Sequence, residues 1–141
     1  MIVRDVMNKK VVVAKPDITI KKASEVMAKY HIGSLIVRDD ERVEGILTER
    51  DVLLSVSSGL DPEATTVDQV MTKGVITIDP DKTLSEAVDM MVENKIKKIP
   101  VVEDGKLVGI ITASDIVVVE PKLVASIANL ISMNLPGYRG G

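Results

Sequence analysis

The sequence GILTERD at residues 45–51 decides the fold, because a second stretch of the same pattern, GIITASD, occurs at residues 109–115. In each stretch an aliphatic pair, typical of a strand end, precedes a threonine, and an aspartate follows that threonine three positions later. A hydroxyl residue with a carboxylate three residues on is the sequence pattern of a capped helix N-terminus. Such a terminus also attracts anions, so the pattern indicates two anion sites, a duplicated fold, or both.

The similarity extends beyond these two stretches at one constant spacing. Further identical residues stand 64 positions apart: Met7 and Met71, Pro16 and Pro80, Asp17 and Asp81, Thr19 and Thr83, and Ala23 and Ala87. A period this long that occurs only twice indicates the duplication of one supersecondary unit, not a solenoid. We therefore predict two copies of one folding unit.

Hydrophobic periodicity predicts the order strand, helix, strand, strand, helix in each copy. In the first copy the strands cover residues 11–14, 35–38 and 43–47, and helices follow Thr19 and Thr48. In the second copy the strands cover residues 75–78, 99–102 and 107–111, and helices follow Thr83 and Thr112. The predicted fold class is α+β, with two tandem β-α-β-β-α repeats, each containing a small mixed sheet and two helices.

The same pattern predicts the domain boundaries. The repeats cover residues 1–58 and 67–119, each opening with a short helical segment, and a linker at residues 59–66 separates them. Pro121 is expected to restart a C-terminal helix over residues 120–135, since proline is favoured at the first helical position. Residues 136–141 should form a flexible tail.

Composition argues against several classes of protein. The net charge is -3, and the aromatic residues are limited to two tyrosines, which disfavours a nucleic-acid binder. The chain has no cysteine and a single histidine, so neither a metal site nor a disulfide is expected. No nucleophile adjoins a base and no glycine-rich phosphate loop occurs, so we predict no catalytic residues and no enzyme activity.

The hydropathy pattern indicates a cytoplasmic protein. The longest stretch without charged residues, residues 123–138, contains serines, asparagines and a proline, which is too polar for a membrane span. No basic and apolar leader precedes Arg4, so no export signal is expected. The absence of cysteine fits a reducing compartment.

The duplication, the element order and the Gly-x-x-Thr-x-x-Asp pattern together resemble the CBS domain family in its tandem form. The resemblance covers residues 3–116. It implies two repeats related by pseudo-two-fold symmetry, which bind AMP, ADP, ATP or S-adenosylmethionine as a regulatory ligand in the cleft between their sheets. It also implies a homodimer, a stand-alone member, and an unidentified enzyme or transporter as the regulated partner.

The resemblance also assigns roles to residues at two sites. The ribose would bind Asp51 and Asp115, and the phosphate, or its equivalent, would face Thr48 and Thr112. The base would lie between aliphatic side chains of the strands. These base-lining residues are Val13, Ala14, Ile36 and Val37 in the first repeat, and Thr77, Ile78, Ile99, Pro100 and Val101 in the second.

The two copies differ in their cations, which predicts unequal sites. Arg50 precedes the first aspartate, whereas Ser114 precedes the second. In place of the arginine, the second copy offers Lys97 and Lys98, which are point charges without the planar fork of a guanidinium. We expect the two sites to differ in affinity.

Simpler interpretations of the same residues remain open. Each threonine–aspartate pair could be a helix cap only, and the two lysines could be a solvated charged turn. Gly45 and Gly109 could relieve crowding or mark a bulge. The whole chain could be an oligomerisation or docking module with vestigial sites, using the apolar helix at residues 122–135.

Overall fold

The first repeat contains its elements in the predicted order. A computed structural model of the chain describes residues 1–128 and 130. After a short helix, α1 (Val3–Val6), the first repeat forms β1 (Val13–Ala14), α2 (Ile20–Tyr30), β2 (Ser34–Asp39), β3 (Arg42–Thr48) and α3 (Glu49–Ser57). The helix predicted after Thr19 begins there because the threonine side chain accepts a hydrogen bond from the backbone of Lys22.

The second repeat has the same order of elements, except that the strand before α4 does not form. It contains a 3₁₀ turn (Val67–Gln69), α4 (Leu84–Asn94), β4 (Lys98–Glu103), β5 (Lys106–Thr112), α5 (Ala113–Val119) and a second 3₁₀ turn (Pro121–Leu123). The strand predicted at residues 75–78 is wrong, since only Ile78 forms a single parallel bridge, to Val101. The next bridge of the ladder would need an N–H group from Pro100, which has none. In the first repeat Ile36 supplies that group, and the strand forms.

Both sheets are small, and the sheet of the first repeat is mixed, as predicted, whereas that of the second repeat has only two strands. In the first repeat β1 lies parallel to β2, and β2 pairs with β3 in an antiparallel hairpin. In the second repeat β4 pairs with β5. Their connecting turn has positive φ angles of 53° at Asp104 and 79° at Gly105, which the Asp-Gly sequence favours. The α+β class and the two repeats are therefore confirmed.

The compact units of the structure differ from the sequence repeats at the N-terminus. One unit comprises residues 11–75 with residues 105–107, and the other contains residues 1–10, 76–104 and the described residues from 108 to 130. Val3 of α1 is fully buried in the core of the second repeat. The corresponding Val67 is fully buried in the core of the first repeat. The short segment before the first repeat therefore packs with the second repeat, and the short segment before the second repeat packs with the first.

An ion cluster fastens α1 within its unit. The guanidinium of Arg4 lies 3.1 Å from the carboxylate of Asp81 and also pairs with the carboxylate of Glu103. Hydrogen bonding to Arg4 holds the pKa of Glu103 below its ordinary value, and the hydrogen bonds that Arg4 donates to Glu103 and Asp81 raise the pKa of Arg4. The backbone N–H of Val3 adds a 2.8 Å hydrogen bond to the carbonyl of Lys82.

The C-terminal helix is described only in part. Pro121 opens a 3₁₀ turn and residues 124–128 are helical, as the sequence predicts for that part. Ile127 and Leu130 are buried in the core of their own unit. The predicted helix at residues 131–135 and the tail at residues 136–141 lie outside the described residues. Among the described residues, no helix is long and apolar enough to cross a membrane.

Candidate functional site

The first site lies at the N-terminus of α3. Thr48 caps this helix, because its hydroxyl accepts a hydrogen bond of 3.1 Å from the backbone N–H of Asp51. The carboxylate of Asp51 in turn accepts a hydrogen bond of 2.9 Å from the backbone N–H of Thr48. This reciprocal capping box is the arrangement that the motif predicts. Arg50 is exposed beside it in the first turn.

A second donor, which sequence reasoning missed, also reaches Asp51. The hydroxyl of Thr72 donates to the Asp51 carboxylate and lies 3.2 Å from each of its oxygens. Thr72 is held there by its backbone, which exchanges hydrogen bonds of 3.0 Å and 2.9 Å with Ile46 at the end of β3. Asp51 is therefore engaged by two protein donors.

The second site, at the start of α5, has a more open carboxylate. The Thr112 hydroxyl accepts from the backbone N–H of Asp115 at 3.1 Å, so the cap itself forms. Within the described residues, however, no donor reaches the carboxylate of Asp115, and the return bond of a capping box is missing. Asn8 occupies the position equivalent to Thr72, and its side-chain oxygen accepts from the backbone of Lys10. The two aspartates thus differ in their free hydrogen-bonding capacity.

The backbone of the predicted lysine pair lies next to the start of α5. The carbonyl of Lys97 accepts a 2.9 Å hydrogen bond from the N–H of Ala113, which places the Lys97–Lys98 pair beside the first residue of α5. Lys97 is exposed, whereas Lys98 is half-buried, and its burial lowers its pKa. Ser114 is exposed in the first turn of α5.

The predicted base-lining residues divide between two faces of each sheet. Successive strand residues point to opposite faces. Five of these residues are buried members of the hydrophobic cores: Ala14, Val37, Ile78, Ile99 and Val101. The other four alternate with them along the chain and belong to neither core cluster: Val13, Ile36, Thr77 and Pro100. Of this second group, Ile36 and Pro100 are themselves buried, Val13 is half-buried and Thr77 is exposed.

A cavity on this face of the first repeat adds cations that sequence reasoning missed. It has a volume of about 540 Å³, and Val13, Lys15 and Arg38 line it together with Pro16, Asp17, Asp39 and Asp40. Arg38 stands two positions after Ile36 in β2, so the alternation of faces along a strand could have predicted that it lies on this face. Because three aspartates share the lining, the cavity has no clear preference for an anion. A smaller cavity of about 190 Å³ borders Asp51 itself.

The relatives of this chain include an uncharacterized protein and a hypoxic response protein. A protein of Methanopyrus kandleri is 39% identical over 128 residues, and the match spans 65% of its length. Hypoxic response protein 1 of Mycobacterium tuberculosis is 33% identical over 115 residues, which cover 80% of each chain. The crystal structure of that protein, with two coordinated zinc ions, matches with a TM-score of 0.75, 31% identity, and coverage of 82% of this chain and 96% of its own.

Another solved structure holds adenosine-containing ligands. It is a CBS domain pair in complex with 5′-methylthioadenosine and S-adenosyl-L-methionine. It is 28% identical, has a TM-score of 0.73, and covers 84% of this chain and 94% of its own. As for zinc, the described part of this chain contains no group of three or more His, Cys, Asp or Glu side chains placed to hold a metal ion.

The family comparison agrees with the internal repeat. The profile of the CBS domain matches residues 3–58 and again residues 67–121, with its two copies on the two repeats. Together these matches cover most of the chain, and each contains one Gly-x-x-Thr-x-x-Asp stretch. The chain therefore belongs to the CBS domain family and carries two CBS domains in tandem.

Proposed function

We propose that this chain is a regulatory module that binds an adenosine-containing small molecule through Asp115 and Asp51. The observation that carries the proposal is the carboxylate of Asp115, which has no protein donor among residues 1–128 and 130 although it stands in the family's motif. A carboxylate accepts hydrogen bonds from both hydroxyls of a ribose, and each such charge-assisted bond contributes about 1.5 to 3 kcal/mol. The related domain pair that binds two adenosine compounds supports the same ligand class.

The neighbouring groups favour a nucleotide with a negative charge at the second site. Lys97 is exposed, and its carbonyl accepts from the N–H of Ala113, which places its backbone beside the first turn of α5. Thr112 would face the phosphate, and Thr77 and Pro100 would contact the base. We infer that AMP and ATP bind this site at least as well as S-adenosylmethionine, whose sulfonium is repelled by the lysines.

Calorimetric titration tests the proposal on the full chain. AMP, ATP, 5′-methylthioadenosine and S-adenosylmethionine are titrated separately, and at least one is expected to bind with a measurable heat. A parallel thermal shift should show stabilisation of about 2.7 kcal/mol when the free ligand reaches 100 times its dissociation constant. The absence of both heat and thermal shift with all four compounds would refute the nucleotide-binding function.

We also propose that two copies of the chain associate through the face formed by α2 and α3. Leu53 is 70% exposed and Val56 is 56% exposed, although both are large aliphatic residues on α3. Together with Met27 and Ala28 of α2 they line a groove of about 510 Å³. Contiguous exposed apolar surface of this kind is typical of association sites. The C-terminal helix is a poorer candidate, because Ile127 and Leu130 are already buried in its own unit.

A charge placed in this groove should separate the copies. We expect Leu53→Lys to convert a dimer into a monomer, because association would bury the new ammonium without a partner. Multi-angle light scattering measures the mass, and Ala64→Lys, which adds the same charge on an exposed turn, should remain dimeric. A monomeric wild-type chain, or a dimeric Leu53→Lys variant, would contradict the proposed interface.

A further inference from the structure

The two aspartates of the proposed sites differ in one contact that is local to each unit. In the first repeat the Thr72 hydroxyl lies 3.2 Å from both carboxylate oxygens of Asp51. In the second repeat the equivalent residue is Asn8, whose side-chain oxygen instead accepts from the N–H of Lys10 at 2.9 Å. The backbones of these two residues are placed alike, since Thr72 bridges Ile46 and Asn8 bridges Ile110. The difference therefore comes from the side chains alone.

From this contact we infer that the Thr72 hydroxyl competes with a ligand for the carboxylate of Asp51 and so weakens ligand binding at the first site. The inference rests on the proposed function and assigns an order to its sites, with the Asp115 site filling first.

Counting acceptor positions supports competition. A carboxylate has about four lone-pair positions, two on each oxygen. At Asp51 the backbone N–H of Thr48 takes one of them, and the Thr72 hydroxyl lies across both oxygens. About two of the four positions therefore remain, and the Thr72 hydroxyl stands 3.2 Å from both oxygens, so a ribose that offers two hydroxyls competes with it for the carboxylate. At Asp115, no described residue has to be displaced from the carboxylate.

The backbone around Thr72 makes displacement costly but possible. Thr72 is pinned by paired backbone hydrogen bonds to Ile46, so its hydroxyl stays near the carboxylate in the free protein. Rotation about its side-chain bond releases Asp51 without breaking those backbone bonds. A hydrogen bond to a charged group is strong enough that its loss lowers the first-site affinity by about tenfold.

Substitution of Thr72 tests the inference directly. The titrations use AMP and S-adenosylmethionine as probes, in an Asp115→Asn background that isolates the first site. We expect Thr72→Val, which keeps the shape and removes the hydroxyl, to raise first-site affinity about tenfold. Thr72→Ser restores the hydroxyl and should return the affinity to the level of the threonine. The reciprocal change, Asn8→Thr on the wild-type background, should lower the affinity of the second site.

The outcomes separate this inference from the proposed function. If a probe binds the second site but Thr72→Val leaves first-site affinity unchanged or lower, Thr72 is only structural and the inference is wrong. A purely structural role would lower the melting temperature of Thr72→Val without increasing its affinity for either probe. If neither probe binds wild type or any variant, the nucleotide-binding function itself fails, and the inference fails with it.

Discussion

Replacing Asp115 with asparagine is expected to weaken the binding of AMP at the second site by about 100-fold. Asparagine keeps the size of the side chain but loses its charge and one acceptor oxygen. Two charge-assisted hydrogen bonds to ribose would become one or two neutral ones, which are weaker by about 1 to 1.5 kcal/mol each. Their combined loss corresponds to the predicted factor.

This variant should fold as the wild type does. The Thr112 hydroxyl accepts from the backbone N–H of residue 115, not from its side chain, so the cap of α5 remains. Within the described residues, the carboxylate of Asp115 makes no hydrogen bond that asparagine would lose. A melting temperature within a few degrees of wild type is therefore expected, which separates lost binding from lost structure.

A charge-matched control completes the measurement. Asp89→Asn removes the same charge from the exposed face of α4 and should bind AMP with wild-type affinity. Calorimetry measures all three proteins in the same buffer, since ionic strength screens exposed charges. An Asp115→Asn protein that binds AMP as tightly as wild type would show that this aspartate is a helix cap residue only.

The local features of this fold were predictable because neighbouring residues decide them. The caps at Thr48 and Thr83 depend on a carboxylate three residues away, and the Asp104-Gly105 turn depends on two residues alone. Even the lost strand in the second repeat has a local cause, since Pro100 cannot donate to the ladder. Reading Pro100 in this way would have corrected the strand predicted at residues 75–78.

The candidate site was predictable only in part, because strand parity and distant packing decide the rest. Alternation along β2 could have separated Ile36, which is buried outside the core cluster of the first repeat, from Val37, which lies within that cluster. The Thr72–Asp51 contact joins residues 21 positions apart through a bridge between two segments. The packing of α1 with the second repeat spans an even longer separation. Periodicity within a short window carries no information on such contacts.

Each motif glycine lies close to another segment of the chain, Met71–Thr72 at Gly45 and Met7–Asn8 at Gly109. A Cβ atom added at Gly45 would lie 2.6 Å from the sulfur of Met71 and 2.8 Å from the backbone carbonyl of Thr72. At Gly109 the corresponding distances are 2.7 Å to the sulfur of Met7 and 3.0 Å to the carbonyl of Asn8. The expectation that these glycines relieve crowding is therefore confirmed, and the crowding comes partly from backbone atoms.

We expect Gly45→Ala to lower the free energy of unfolding by about 3 kcal/mol. The methionine side chain can move, but the carbonyl of Thr72 is backbone, so the segment that carries it must shift away. Overpacking of this kind costs about 1 to 3 kcal/mol, and weakening the paired hydrogen bonds between Thr72 and Ile46 adds about 1 kcal/mol. Urea denaturation measures the change, read as a lower midpoint with an unchanged slope.

Gly33→Ala is the matched control for this measurement, since it adds the same methyl group at a glycine with ordinary φ. Its Cβ would meet only the carboxylate end of the exposed Glu49 side chain, at 2.5 Å, and that side chain can swing into solvent. We expect a change below about 0.5 kcal/mol, as at most surface positions. A Gly45→Ala effect as small as that expected for Gly33→Ala would mean that the Thr72 backbone yields freely, and that Gly45 is not required by the close approach of this segment.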